Sequence, residues 1–349
     1  MRLRYLSKGY ALRRDNLRGL AGVVLAIVLI GMLDLLKPGT SSAPDYECRV
    51  SEQSSVEINI LSGESGASIA AKLEEEGVVK SSESFFRVAV ADARAASIAP
   101  GVHIIDREIC AVDALTQLLD SKRIANLIAI NEGAWISEIK SRLLKIGYSK
   151  GEIESAFSSV KNPQGFRSLE GLLFPSQYSF ASQTPLSTII ETIVKRGLKE
   201  LEGAGIAQGS DGFTPAELLT IASLIEAEGD PVDYRKVSQV VRNRLKIGMP
   251  LQFDSTVHYI MELRGSIFLS TKSTLLKSPY NTYRNYGLPP TPINNPGRLA
   301  MEAAVNPEAG NWLYFITVAP RDTRFTADFS EFNEWKQLYR KNLRSGKFE

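Results

Sequence analysis

Hydrophobic and polar residues change their period several times along this chain, and the changes outline its elements. Val56, Ile58 and Ile60 alternate with Glu57 and Asn59, the period of a half-buried strand. Gly63 and Gly66 mark a turn into a helical pattern over 67–76, Gly77 breaks it, and 82–96 is helical again. Residues 100–105 predict a returning strand and 111–121 a helix, so a small βααβ-like module spans 56–125. A second cycle starts at 127–131, turns, and enters an amphipathic helix over 136–146 through Ile136, Ile139, Leu143 and Leu144. Its echo of 58–75 is a weak internal repeat. Further helices are expected at 149–158 and 186–201. Another should be capped by Asp230, with Pro231 in its first turn and Val237, Val240, Val241 and Leu245 as its buried stripe. Residues 248–300 read as loop-rich, 312–318 as a late strand and 329–343 as an aromatic-rich helix. The class is α+β.

The most strongly signalled helix covers 214–229. Thr214 is its N-cap, Pro215 its first residue, Glu217 closes a capping box and Gly229 supplies the stop. Leu218, Leu219, Ile221, Ala222, Leu224 and Ile225 cover most of its circumference, so it should be largely buried. Yet it ends in Glu226 and Glu228. Burial and the negative end of the helix dipole both raise a carboxyl pKa. A carboxyl protonated near neutral pH is what a general acid for glycosidic cleavage requires. From the helix alone two readings stay open: a buried acid, or two glutamates fraying into solvent. The two project about 200° apart, so only one can face a given cleft.

At the N-terminus Arg2, Arg4, Lys8, Arg13, Arg14 and Arg18 oppose only Asp15 within a basic leader, 1–18. An apolar run follows from Gly19 to Leu33 and closes with Asp34 and Lys37, giving an expected transmembrane helix over 19–37. Positive-inside logic puts the N-terminus in the cytoplasm and the rest outside, a single-pass plasma-membrane protein. The small residues Ser41, Ser42 and Ala43 leave a cleaved signal peptide as the alternative. Residues 38–55 form a polar linker, 56–125 the small module and 126–349 a mixed α+β domain. In that compartment a Cys48–Cys110 disulfide is permitted, but two cysteines alone do not establish it.

Of the 349 residues 44% are hydrophobic and 23% charged, an ordinary folded protein with room for two domains. A net charge of +2 leaves no basic excess for nucleic acid. Two distant histidines, His103 and His258, with two cysteines offer no metal cluster and no Cys–His catalysis, and no phosphate loop or cofactor motif is present. Chemistry is expected from carboxylates, hydroxyls and amides. Glu226, Gln252, Asp254, Thr256, Asn281, Thr282, Tyr283, Asn294 and Asn295 fall within about 70 residues, on loops fixed by proline. Such a set suits a sugar polymer, which presents a hydroxyl at nearly every carbon and an apolar ring face.

Four segments carry a resemblance: LEGLLFPSQYSF (169–180), LTIASLIEAE (219–228), VVRNRLKIGMPLQFDSTVHY (240–259) and SPYNTYRNYGLPPTPINNPG (278–297). In this order they resemble the YceG-like family of endolytic murein transglycosylases, from about residue 56 to the C-terminus. The small module resembles that family's LysM-like unit. The resemblance implies an enzyme that cuts peptidoglycan glycan strands internally, between MurNAc and GlcNAc, leaving 1,6-anhydroMurNAc ends. It places the family glutamate on Glu226 and implies Gln252, Asp254, Thr256, Asn281, Thr282, Tyr283 and Asn295 as substrate-binding residues. Membrane-bound wall-synthesis machinery would be the partner. Two alternatives stay open: a non-catalytic peptidoglycan-binding scaffold, and a conventional hydrolase using Glu226 with Asp254. The chain departs from the family at Ser176-Gln177, where Asp-Thr is common, and at Arg324 and Phe332, where histidines are often seen.

Overall fold

The computed structural model describes residues 43–48, 54–264 and 270–348. The expected leader and membrane span lie outside the described residues, as does most of the linker. Among the described residues no helix is long and apolar enough to cross a membrane.

Two compact units emerge. The smaller takes, among the described residues, those up to Ile58, Gly63–Ile98 and Ile105–Leu119; the larger takes Asn59–Ser62, Ala99–Ile104 and everything from Asp120. The expected module 56–125 therefore contributes residues to both. Its elements run β1 (Ser55–Ile60), α1 (Gly66–Glu75), α2 (Ser82–Ala91), β2 (Gly101–Asp106) and α3 (Ala111–Leu119). This is the anticipated order with a shorter second helix, because Asp92 ends α2 and caps a separate 3₁₀ turn, Ala93–Ser97. Ser65 and Ser81 cap α1 and α2 by accepting from the amides of Ser68 and Ser84. Cys48 and Cys110 form the disulfide that their sequence left undecided, across 62 residues.

The larger unit begins with β3 (Ile128–Ile130), whose partner is β4 (Ser176–Tyr178) in antiparallel register, Ile128 opposite Tyr178. Between them lie α4 (Ile136–Ile146) and α5 (Lys150–Ser159), followed by α6 (Leu186–Gly203), α7 (Pro215–Glu228) and α8 (Tyr234–Lys246). Helix α7 has the expected capping box, with Thr214 accepting from the Glu217 amide and Glu217 accepting from the Thr214 amide at 2.8 Å. All eight residues from Leu218 to Ile225 are buried. Helix α8 starts at Tyr234 rather than beside Asp230, since Asp230 to Asp233 is used as a turn closed by the Asp233 amide on the Asp230 carbonyl, 2.8 Å.

Three further elements interrupt the stretch read as loop-rich: α9 (Asp254–Met261), a 3₁₀ turn (Ser273–Leu275) and the start of α10 (Arg298–Val305). Sequence pattern missed α9 because it is short and no side chain of its N-cap residue, Phe253, can cap it. The late strand is β5 (Tyr314–Ala319), which forms a hairpin with β6 (Asp322–Thr326), and α11 (Phe329–Arg344) packs on β5. Helices α8 and α10 flank α7 and complete its burial.

Gly197 in α6 is a position where close approach decides the residue. A Cβ there would penetrate the carbonyl of Leu172. Helix propensity alone favours alanine over glycine by about 0.5–1 kcal/mol, whereas overpacking a rigid contact costs about 1–3 kcal/mol. Gly197→Ala should therefore destabilise the larger unit, read as a lower urea midpoint. A raised midpoint would show that the contact relaxes freely.

Candidate active site

Glu226 occupies the last turn of α7 and is half-buried. Two donors hold its carboxyl: the Tyr234 hydroxyl on Oε1 at 3.0 Å and the Gly297 amide on Oε2 at 2.9 Å. Burial raises its pKa, the Gly297 and Tyr234 bonds pull it back, and the charge of Glu132 raises it again. It lines a polar cleft of about 240 Å³ with Glu132, Gly133, Trp135, Arg264 and Asn294 among the walls. Arg264 lies over the Trp135 ring, 3.8 Å from its centroid, and donates to Glu138 and to the Gly133 carbonyl. The Glu132 carboxyl packs so closely on Gly297 that a Cβ there would displace it.

Glu228 faces elsewhere, as the 200° separation requires. It lines a larger groove, about 780 Å³, together with Arg244, Gln252, Asp254 and Tyr283. Burial pushes its carboxyl to about 7, with Asp254 adding to the rise. Its oxygen accepts from the Ser255 amide at 3.2 Å. That amide is in the first turn of α9, so Glu228 supplies the cap that Phe253 cannot. A raised pKa alone therefore does not separate the two glutamates; their partners do. Glu228 is tied to a helix end, whereas Glu226 is held by the Tyr234 hydroxyl and the Gly297 amide.

The residues expected to bind substrate divide into two groups. Gln252, Asp254 and Tyr283 line the Glu228 groove, where the Tyr283 hydroxyl donates to Asp254 and Gln252 adopts a left-handed backbone, φ 49°. Thr256, Asn281, Thr282 and Asn295 are instead buried supports. Thr282 accepts from the Phe253 amide at 2.9 Å, and its hydroxyl lies 3.0 Å from that of Thr256. Asn281 donates to the carbonyls of Thr274 and Leu276 and accepts from the Tyr283 amide. With every polar atom engaged, these side chains shape loops and have none left to offer a sugar.

Asn295 has the most consequential support role. Its Oδ1 accepts from the amides of Gly171 and Leu173, and its Nδ2 donates to the Ala134 carbonyl and to Glu170. Glu170 went unnoticed in the sequence although it sits in one of the recognisable segments. It is 4% exposed and also accepts from the Ile136 amide and the Tyr259 hydroxyl. Burial pushes it up to about 7. The signal that could have found it is a charged residue inside the apolar run Leu169–Phe174.

A half-buried carboxyl with two fixed donors thus opens on a polar cleft of an α+β scaffold. The chain belongs to the YceG-like family, whose sequence profile matches residues 58–337. It is 33% identical to the endolytic murein transglycosylase of Bacillus subtilis strain 168 over 310 residues, 82% of this chain and 85% of that protein. A Streptococcus pneumoniae D39 protein of the same description is 36% identical over 162 residues, 45% of this chain and 29% of that one. A crystal structure of a YceG-like protein from Listeria monocytogenes superposes with a TM-score of 0.53 at 25% identity, covering 80% of this chain and 98% of that one.

Glu170 gives stability a pH dependence. Folded, it keeps its proton to about 7 against an ordinary 4.5, so its stabilising contribution is complete below the ordinary value and lost as pH rises through 7. Wild-type protein should thus lose stability from about pH 5 to about pH 8, and Glu170→Gln should flatten part of that slope. Urea unfolding across this range measures both. Parallel slopes in the two proteins would mean that Glu170 does not titrate there.

Proposed function

We propose that this protein is an endolytic murein transglycosylase in which Glu226 is the single acid–base residue. The observation that carries this reading is the Glu226 cleft: a carboxyl of raised pKa, held by Gly297 and Tyr234, at the end of a helix buried on every side. Protonated Glu226 gives its proton to the glycosidic oxygen as the C1–O bond breaks. The resulting carboxylate takes the proton from the C6 hydroxyl of the same MurNAc, whose oxygen closes on C1. One bond breaks, one forms, and the product is a 1,6-anhydro end with no water consumed. Intramolecular attack makes a second carboxylate unnecessary.

The hydrolase alternative needs a partner carboxylate across the scissile bond. Asp254 lines the Glu228 groove and accepts from Tyr283, whereas Glu226 lines the other cleft. A purely structural scaffold leaves the shifted pKa of Glu226 without a use. The apolar run Gly19 to Leu33 behind a basic leader supports a single membrane anchor with the enzyme outside the plasma membrane, beside the machinery that builds the wall. The Cys48–Cys110 disulfide fits that oxidising side. The strand–helix–helix–strand order of 56–125 supports a LysM-like wall-binding role for that module.

Mass spectrometry of glycan strands digested by the purified protein tests the reading. New 1,6-anhydroMurNAc ends are expected, with Glu226→Gln folded and slower by at least ~10²-fold. Glu228→Gln keeps an acceptor for the Ser255 amide and should be mild. Reducing ends in place of anhydro ends would make the enzyme a hydrolase, and near-wild-type turnover by Glu226→Gln would remove Glu226 from the chemistry.

A further inference from the structure

Hydrogen-bonding capacity is nearly saturated in the interior, and the exceptions are not scattered. Among the described residues, six buried side-chain polar atoms have no hydrogen-bond partner: one each on His103, Ser238, Arg242, Ser255, His258 and Asn294. Three of the six, Ser255 Oγ, His258 Nε2 and Asn294 Oδ1, belong to side chains lining the Glu226 cleft. Leaving a buried polar atom unpaired is costly, so a cluster of them beside an acid marks groups whose partner arrives from outside.

Asn294 and Ser255 each make a bond that does not involve the orphaned atom. The Asn294 amide nitrogen donates to the Ser223 carbonyl at 2.8 Å, which fixes the side chain and leaves Oδ1 as an unfilled acceptor. The Ser255 amide is anchored on Glu228 at 3.2 Å, and the Ser255 hydroxyl lies against the same carboxyl without forming a well-aligned bond to it. His258 lies one turn further along α9, on the face that carries Ser255. The cleft thus offers one fixed acceptor and two groups able to donate. An amide presents the complement of this set, one N–H and one C=O. A plain hydroxyl in the same place can engage both kinds of group only through one oxygen.

We propose that Ser255, His258 and Asn294 bind the 2-acetamido group of the sugar placed against Glu226. Asn294 Oδ1 accepts from the acetamido N–H, and Ser255 and His258 donate to its carbonyl. The proposal rests on the transglycosylase reading for its substrate class and adds the residues that select an N-acetylated sugar. None of the three is needed to transfer the proton, so they are binding and positioning residues.

The test uses the full chain carrying Glu226→Gln, which binds without turnover, and two β-1,4 tetrasaccharides that differ at C2: chitotetraose and cellotetraose. Calorimetry should give chitotetraose the tighter binding by roughly 10-fold, the scale of one or two neutral hydrogen bonds. Adding Ser255→Ala or His258→Phe should bring the two ligands to within roughly 2-fold of each other. Ser255→Ala removes an atom that makes no well-aligned hydrogen bond inside the protein, so its unfolding midpoint should change little; if His258→Phe does not fold, Ser255→Ala decides. Equal affinity for both ligands, no binding of either, or a preference that survives Ser255→Ala would overturn the proposal and leave the orphaned atoms to ordered water. Anhydro ends from wild-type protein together with a surviving preference would sink this inference and spare the transglycosylase reading. Reducing ends together with a preference lost in Ser255→Ala would do the reverse.

Discussion

The Asn295–Glu170 pair is the contact on which the rest of the site depends. Four side-chain bonds from one buried amide join three segments that are far apart in sequence: the turn at Gly133–Ala134, the Gly171–Leu173 bend and the loop that leads to Gly297. Backbone bonds repeat the join, from the Asn295 amide to the Ala134 carbonyl and from the Gly133 amide to the Asn295 carbonyl. Breaking it would leave buried backbone amides at 171 and 173 unpaired, each costing on the order of 1–3 kcal/mol. Glu170 extends the clamp to α4 through the Ile136 amide and to α9 through Tyr259. Both walls of the Glu226 cleft hang from this point, one through Gly133 and the other through the chain that carries Gly297.

Helix α7 supplies the second constraint. An apolar surface on every side removes any rotational choice, so the helix is fixed in the core before its last turn is considered. Its two terminal glutamates must then leave in different directions. Glu228 is spent on the amide end of α9, which has no cap of its own, and so helps to place α9. Because Ser255 and His258 ride on α9, the structural glutamate positions groups that line the cleft of the other one.

How far this was legible in the sequence differs by element. Thr214, Pro215, Glu217 and Gly229 announced α7 because capping is local chemistry, and the burial of 218–225 followed from composition alone. Helix α9 was hidden because its cap comes from Glu228, 27 residues earlier, and no local rule sees that. The polar loop residues showed that something was built between 250 and 297, but not which atoms remain available. Asn281, Thr282 and Asn295 look like ligand groups in a sequence and prove to be fully engaged in the fold. Ser255 and His258 look ordinary in a sequence and prove to be under-bonded. Availability is a property of three-dimensional partners, and residue type carries little of it.

The same distinction separates the two raised carboxyls. Desolvation acts on both, and on Glu228 it acts more strongly, so pKa by itself would favour Glu228. What an acid–base residue needs is a carboxyl fixed by donors that leave room for the reacting oxygen. Glu226 takes one bond on each oxygen, from Tyr234 and Gly297, and a carboxyl oxygen has capacity beyond one. The Gly297 amide favours the carboxylate that forms once the proton has left, while burial and Glu132 favour the acid that precedes it. These influences oppose one another on a single carboxyl, with a net rise in its pKa. The proposed mechanism asks for that combination, since it uses the residue first as an acid and then as a base.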